Sequence, residues 1–244
     1  NQKYAPKSIL FAYLPKSAST FLQNLLIEIT GFYEFDYSWG YLHNEQNLDL
    51  SSLFKSCRAQ TIGKNMMCAT NANMWLLDLF AIKPIIITRP IDDILVSLCD
   101  HFKNESIKWP NIYISDAFFN WPFEQKIDYL IDFYVPWALN FYKSWTDATS
   151  AMKMDFLWLS YDDITTDTYH TVLKVFDYYD IDLKISEADT NLLINKLKSK
   201  RSRFNKGISG RGSTLITDKQ RDAIAKKATF FNNIDFSKIG IINK

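Results

Sequence analysis

The chain has 244 residues, with 28 Lys plus Arg against 27 Asp plus Glu and a formal net charge of +1 at pH 7. This balance excludes a protein that coats nucleic acid by bulk electrostatics, and we expect no nucleic-acid partner. A hydrophobic content of 47% and a charged content of 23% exclude disordered and collagen-like chains, and the length suits one domain with a large core.

The first half of the chain contains two short apolar runs, each followed by helical periodicity. Residues 9–14 and 85–88 have the continuous hydrophobicity of buried parallel strands. Apolar residues then recur at helical spacing over 21–29 and 91–102, which predicts a helix after each strand. Pro90 suits the first position of the second helix.

The second half continues the alternation of helices and strands. Residues 127–145 predict one long helix, with a kink at Pro136, and residues 156–159 a third buried strand. Two helices are predicted near 166–179 and 188–199. A last helix is predicted to open at Thr217, where Gln220 three residues later fits a capping box.

Strands that alternate with helices predict an α/β fold, a P-loop-like three-layer arrangement in which helices flank a central parallel sheet. No repeat or linker divides the chain, so we expect a single domain over residues 1–244. Ligands of such sheets bind beyond the carboxyl ends of the strands. Three polar segments fall there: the loop that begins at Lys16, the turn at Arg89 and a turn over residues 160–163.

Residues 15–20, PKSAST, join the first strand to its helix and are suited to binding an anion. Main-chain N–H groups at a helix start favour negative charge, and Lys16 adds a positive charge. The loop lacks the glycines of the ATP-binding motif G-x-x-x-x-G-K-[ST]. An ordinary strand–turn–helix connection also favours Ser and Thr, so this alternative stays open.

The charges are uneven near the C-terminus. Residues 190–217 contain no Asp or Glu but seven Lys or Arg. The segment is either a local anion site or a solvated basic helix face.

Together these segments resemble the cytosolic-type sulfotransferase family, whose sulfuryl donor is 3′-phosphoadenosine 5′-phosphosulfate (PAPS). Residues 16–21, KSASTF, are similar to the family's 5′-phosphosulfate loop, P-K-[ST]-G-T-[TS]-[WF]. The resemblance implies that this loop binds the donor, and its product 3′,5′-adenosine bisphosphate (PAP), through Lys16, Ser17, Ala18, Ser19, Thr20 and Phe21.

Three further segments carry the resemblance, in the family's order. Arg89 and Ser97, eight residues apart, are similar to its 3′-phosphate motif. Residues 159–164 (LSYDDI) resemble its Tyr-Glu-Asp-Leu turn, which lies near the adenine. Residues 203–212 resemble its Lys-Gly-x-x-Gly loop, which closes over the 3′-phosphate. The residues so implied are Arg89, Ser97, Tyr161, Asn205, Lys206 and Gly207. Two alternatives stay open: an ion pair of Arg89 with Asp92 or Asp93, and a purely structural Ser97.

The resemblance implies in-line sulfuryl transfer without a metal, with Lys16 neutralising charge on the leaving oxygen. The family's base is commonly a His before the Arg89 strand, but residues 63–73 contain none. His43 is our candidate base, with Glu45 beside it as another hypothesis. We expect His101 to be structural and His170 to lie on the surface.

The chain resembles bacterial members of the family more than its animal phenol enzymes, which implies a small molecule, a carbohydrate or a lipid as the acceptor. The aromatic residues 109–123 either line its site or pack in the core. Two other functions stay open: a kinase-like transferase using ATP, and a nucleotide-binding relative without catalysis.

Three cysteines, an odd number without framework spacing, predict reduced thiols and a cytoplasmic location. No stretch approaches the roughly 20 apolar residues of a membrane helix. Because the chain begins at Asn1, we expect it to be a trimmed chain or part of a longer polypeptide.

Overall fold

The computed structural model describes residues 7–38, 47–104, 112–152, 156–199 and 209–242. Its strands are β1 (Ser8–Tyr13), β2 (Tyr33–Glu34), β3 (Thr61–Asn65), β4 (Ile85–Thr88) and β5 (Trp158–Ser160). In the described residues they form one parallel sheet of order β2-β3-β1-β4-β5. The predicted α/β fold with a central parallel sheet is confirmed.

The sheet is surrounded by helices. They are α1 (Ser19–Thr30), α2 (Leu50–Ser56), α3 (Asn71–Leu79), α4 (Ile91–Asn104), α5 (Ala117–Asn120), α6 (Phe123–Phe133), α7 (Val135–Met152), α8 (Tyr161–Thr166), α9 (Thr168–Tyr178), α10 (Glu187–Ser199), α11 (Arg211–Leu215) and α12 (Asp218–Ala228). A short 3-10 turn covers Ser237–Ile239. Among these helices we find none that is both long and apolar enough to cross a membrane.

The sheet separates two hydrophobic cores, because successive side chains of a strand point to opposite faces. Leu10 and Ala12 of β1 pack into a core with α3, α4, α6, α7 and α12. Ile9 and Phe11, which alternate with them, pack with α1, α9 and α10. This burial on both faces explains why β1 is a continuous apolar run in the sequence.

The register of strand pairing places the carboxyl ends of β1, β4 and β5 side by side. Tyr13 of β1 lies beside Ile87 of β4, and Thr88 of β4 lies beside Ser160 of β5. The Leu14 N–H extends the first pairing by donating to the Ile87 carbonyl oxygen at 2.9 Å. The Lys16 loop, the Arg89 turn and the start of α8 therefore leave neighbouring strands at one edge of the sheet.

The prediction of a single helix over residues 127–145 is wrong, because the structure has two helices there. α6 ends at Phe133 and α7 begins at Val135, with Tyr134 between them. Pro136 lies in the first turn of α7, where the N–H that proline lacks has no partner inside the helix. The proline therefore lies at the start of the second helix.

Two smaller predictions also need correction. Residues 160–163 are not an open turn: Tyr161 is the first residue of α8, because Ser160 and Asp163 cap that helix reciprocally. Pro90 precedes α4, which begins at Ile91, although the Pro90 carbonyl oxygen accepts the Ile94 N–H at 3.1 Å. The capping box predicted at Thr217 is confirmed.

Candidate functional site

The loop between β1 and α1 has an unusual backbone. Lys16 and Ala18 both have positive φ, 60° and 66°, although neither is glycine. Left-handed residues in a turn point successive main-chain N–H groups towards a common anion-binding concavity. No side chain caps α1 at Ala18, and its first turn carries no acidic residue. The positive end of the helix dipole thus faces this loop, and the first turn of α1 supplies no carboxylate to neutralise it.

A second feature of the loop is an unpartnered hydroxyl. Ser17 is fully buried, and its Oγ has no hydrogen-bond partner among the described residues. Such a group costs about 1–3 kcal/mol when left unsatisfied, which is why it commonly marks a position that a ligand satisfies. Its place beside the start of α1 fits the oxygen of a bound phosphate or sulfate.

Lys64 of β3 reaches the same loop. Its Nζ donates a hydrogen bond of 2.7 Å to Oγ1 of Thr20 in the first turn of α1. This contact brings a second ammonium group to the loop. The sequence analysis missed Lys64, since Thr61–Asn65 contains Gly and Lys and lacks the apolar run of β1.

In the sequence, Gly63 is the residue that could have indicated this strand. A Cβ at Gly63 would collide with the Phe35 carbonyl oxygen and the Tyr37 ring. A glycine inside a strand often marks such a close approach.

Arg89 follows β4 and lies at the centre of the edge. Its Nη1 donates a 2.8 Å hydrogen bond to the Lys16 carbonyl oxygen. Its guanidinium carbon lies 3.8 Å from the centroid of the Tyr161 ring, a cation–π contact. The structure thereby brings three of the predicted site residues into direct contact.

The ion pair considered as an alternative role for Arg89 is present. Nη2 of Arg89 lies 3.6 Å from Oδ2 of Asp93, and both side chains are almost fully buried. Burial lowers the pKa of Arg89 from its ordinary value, and the negative charge of Asp93 is among the groups that oppose this shift. The pair does not by itself exclude phosphate binding, since a guanidinium carries five N–H donors.

Tyr161 is held by the start of α8. The Ser160 Oγ accepts the Asp163 N–H at 3.0 Å, and Oδ2 of Asp163 accepts the Ser160 N–H at 2.8 Å. Burial raises the pKa of Tyr161, with the charge of Arg89 opposing the shift. The phenol therefore stays neutral beside the guanidinium and offers its ring face.

The C-terminal segment meets α4 at Asp93. The two oxygens of this carboxylate accept the N–H groups of Gly210 and Gly212, at 2.8 and 2.7 Å. Ser97 is buried one helical turn after Asp93, on the same side of α4. The described part of the C-terminal segment is thus docked on the helix that begins beside Arg89.

Several predicted residues lie outside the described residues: His43, Glu45, Asn205, Lys206 and Gly207. The other two histidines lie within them. His170 is exposed and its Nδ1 contacts Oδ1 of Asp167 at 2.6 Å, as expected for a surface residue. His101, near the end of α4, packs against the ring of Phe102.

The aromatic stretch packs largely as core where it is described. Phe118 is almost fully buried, and its ring lies within 6 Å of four neighbouring rings, those of Phe102, Phe119, Trp121 and Tyr129. Tyr113 and Phe123 are exceptions, with 81% and 38% of their surfaces exposed.

In the described part of the basic segment, Lys196 and Arg211 form ion pairs. Lys196 contacts Glu28 of α1, and Arg211 contacts Asp100 of α4, each at 2.8 Å. All three cysteines are free thiols, as their odd number predicted.

Comparison with known proteins agrees with this architecture. A family model described as "Sulfotransferase domain" matches residues 6–226. The solved structure of mouse sulfotransferase SULT7A1 complexed with PAP is similar, with a TM-score of 0.69 and 16% sequence identity over 95% of this chain and 87% of that chain. No curated protein sequence matches significantly. At 16% identity, the structural likeness establishes the fold alone.

Proposed function

Because the chain belongs to the sulfotransferase family, we propose that it moves a sulfuryl group from PAPS to a hydroxyl or amine of a small-molecule acceptor. The observation that carries this proposal is the contact of Arg89 with both Lys16 and Tyr161 at the ends of three adjacent strands. A nucleotide with anionic groups at its 5′ and 3′ positions needs two cationic sites at one edge. This arrangement supplies them.

The 5′-phosphosulfate is assigned to the β1–α1 loop. The residues present fit this group: the loop offers a helix N-terminus, the ammonium of Lys16 and the buried hydroxyl of Ser17. Ser19 and Thr20 add hydroxyls in the first turn of α1. Lys64, held by Thr20, brings a further positive charge to this end of the donor.

The 3′-phosphate is assigned to Arg89, whose planar guanidinium matches phosphate oxygens. Ser97 lies in α4, the helix that follows Arg89. We propose that Tyr161 lies beside the adenine. Outside the described residues, Asn205, Lys206 and Gly207 complete this end of the site in our proposal.

The reaction is an in-line displacement at sulfur. The acceptor oxygen or nitrogen bonds to sulfur while the bond from sulfur to the bridging phosphate oxygen breaks, so that PAP leaves. Lys16 stabilises the negative charge that grows on that oxygen, and the proton of the acceptor passes to a base, for which we propose His43. The acceptor class we propose is a carbohydrate, lipid or natural-product hydroxyl.

A second candidate function is nucleotide binding without turnover. It is favoured by the described residues that follow β3: Met66 and Met67 are buried there, and residues 63–73 supply no histidine. A relative of this kind would bind PAP as tightly as an enzyme does but would sulfate no acceptor.

Titration calorimetry with PAP, and separately with ATP plus Mg²⁺, tests the donor assignment. We expect PAP to bind and ATP to bind far more weakly. A preference for Mg²⁺–ATP would instead indicate a kinase-like transferase. A screen of acceptors with labelled PAPS then separates the enzyme from the non-catalytic relative, since only the enzyme transfers label.

A further inference from the structure

Asp93 links Arg89 to a distant part of the chain. Its Oδ1 and Oδ2 accept the N–H groups of Gly212 and Gly210, residues that are 119 and 117 positions away in sequence. The same Oδ2 lies 3.6 Å from Nη2 of Arg89. The carboxylate is 3% exposed, so solvent contributes little to its support.

The Arg89 guanidinium is held by contacts from several elements, among them the Lys16 loop, α8 and α4. The Lys16 carbonyl oxygen accepts from Nη1, the Tyr161 ring lies 3.8 Å from the guanidinium carbon, and the Asp93 carboxylate lies 3.6 Å from Nη2. The first two contacts come from the strand ends themselves. The third depends on where the Asp93 carboxylate lies, which its two main-chain N–H donors determine.

α11 is held closely enough to fix this carboxylate. A Cβ at Gly212 would lie 2.7 Å from the Asp93 main-chain nitrogen and closer still to Asp92. Arg221 of α12 also links α11 to the first turn of α4. Its Nε donates to Oδ2 of Asp92 at 3.0 Å, and its Nη2 donates to the Ser213 carbonyl oxygen at 2.7 Å. The Gly210–Gly212 backbone therefore has little freedom to move relative to α4.

We propose that Asp93 is a positioning residue through which the Gly210–Gly212 backbone sets Arg89 for the 3′-phosphate of the donor. The inference rests on the proposed function, because it concerns the group that Arg89 binds. Asp93 itself does not contact the nucleotide in this proposal. It determines the direction in which the guanidinium points.

A simpler role for Asp93 is to stabilise the N-terminus of α4, where acidic residues are favourable. Asp92 provides a matched control for that role. It lies in the same turn and carries the same charge, but its ion pair is with Arg221. Both Asp→Asn changes remove one charge from the helix start, and the Asp93 change also removes the ion pair with Arg89.

The test compares PAP with adenosine 5′-monophosphate, which lacks the 3′-phosphate, by calorimetry on the wild type, Asp93→Asn and Asp92→Asn. We expect Asp93→Asn to lower the preference for PAP about tenfold, within the range of coupling energies for residues in contact. Asp92→Asn should lower the preference clearly less than Asp93→Asn, because Asp92 supports the Gly210–Gly212 segment only indirectly, through Arg221. An unchanged preference in Asp93→Asn, or an equal fall in both variants, would overturn the proposal.

Gly212→Ala keeps the inference testable if Asp93→Asn does not fold. It leaves the Asp93 carboxylate intact but forces α11 away from α4, and we expect the same fall in preference for PAP. A folded Gly212→Ala protein with wild-type preference contradicts the proposal. If the wild type itself does not prefer PAP, the donor assignment and the inference both fail, a result distinct from a failure confined to the variants.

Discussion

The guanidinium of Arg89 donates a 2.8 Å hydrogen bond to the main-chain carbonyl oxygen of Lys16. These residues follow two adjacent strands and belong to the two anion sites that we assign to the ends of one nucleotide. The contact joins the sites through the backbone, so the loop at Lys16 depends on Arg89 for part of its support. A change at Arg89 should therefore weaken binding of the 3′-phosphate most and binding of the 5′-phosphosulfate to a smaller extent.

Arg89→Ala should weaken binding of PAP far more than binding of adenosine 5′-phosphosulfate, which lacks the 3′-phosphate. A hydrogen bond to a charged group contributes about 1.5–3 kcal/mol, so we expect a loss of roughly 10- to 100-fold for PAP. Calorimetry with both nucleotides measures the difference. Arg89→Lys, which keeps the charge without the planar fork, serves as the intermediate case. Equal losses for the two nucleotides would refute the assignment.

Lys16→Ala should reduce the rate more than the affinity, because the charge on the leaving oxygen develops only in the transition state. Removing one such stabilising group typically lowers kcat on the order of 10²- to 10³-fold. Steady-state kinetics with labelled PAPS and an acceptor from the screen give kcat and KM separately. Lys143→Ala, at an exposed ion pair with Asp147, is the control. A Lys16 variant that changes KM alone argues against the leaving-oxygen role.

His43→Ala tests the proposed base. General-base catalysis contributes about 10²- to 10⁴-fold, so we expect a loss of turnover of that order with little change in PAP binding. The fall in wild-type rate at low pH, where His43 would be protonated, should disappear in the variant. His170→Ala is the matched control, because His170 is exposed and paired with Asp167. Unchanged rates in the His43 variant would dismiss this role.

Ala18→Gly should leave stability unchanged or raise it slightly. The left-handed backbone at Ala18 costs an L-residue about 1–2 kcal/mol, and glycine removes that cost while losing about 0.4–1 kcal/mol through the entropy of the unfolded chain. Ala225→Gly in α12, an ordinary helix position, should instead lose about 1 kcal/mol. Urea unfolding of the two variants gives the comparison. Equal destabilisation in both would show that the loop backbone is not strained at residue 18.

Asp163→Asn should make the free energy of unfolding less dependent on pH in the acid range. Although partial burial opposes its ionisation, hydrogen bonds from Ser160 and the charge of Lys174 lower the native pKa of Asp163 below its ordinary value of 3.8. The stabilisation is therefore complete above pH 3.8 and is lost as the pH falls through the lower native pKa.

Because the Asp163 side chain is 38% exposed, we expect the loss at pH 7 to stay below about 1 kcal/mol. Urea unfolding from pH 7 to 3 should show the gap between the wild type and Asp163→Asn begin to narrow below pH 3.8. Asp162→Asn, in the same helical turn, is the control for loss of charge alone. A constant gap across the pH range would contradict the role of the ionised Asp163 cap.

The parts of the site next to β1 and β4 were predictable from sequence. Both strands are buried on two faces and so appear as continuous apolar runs, and parallel strands place the residues that follow them at one edge. β3 has no such run, because Gly63 and Lys64 occupy its middle. Lys64 was therefore missed, and so was its contact with Thr20.

The sequence by itself determined the α/β fold, the loop at Lys16 and the turn at Arg89, because these features depend on local hydrophobic patterns and on residue types suited to anions. Only the tertiary structure decided what surrounds Arg89. The pairing of Asp93 with Gly210 and Gly212 joins residues more than a hundred positions apart. No local pattern encodes such a contact, since it forms only when helices from different parts of the chain pack against the same sheet.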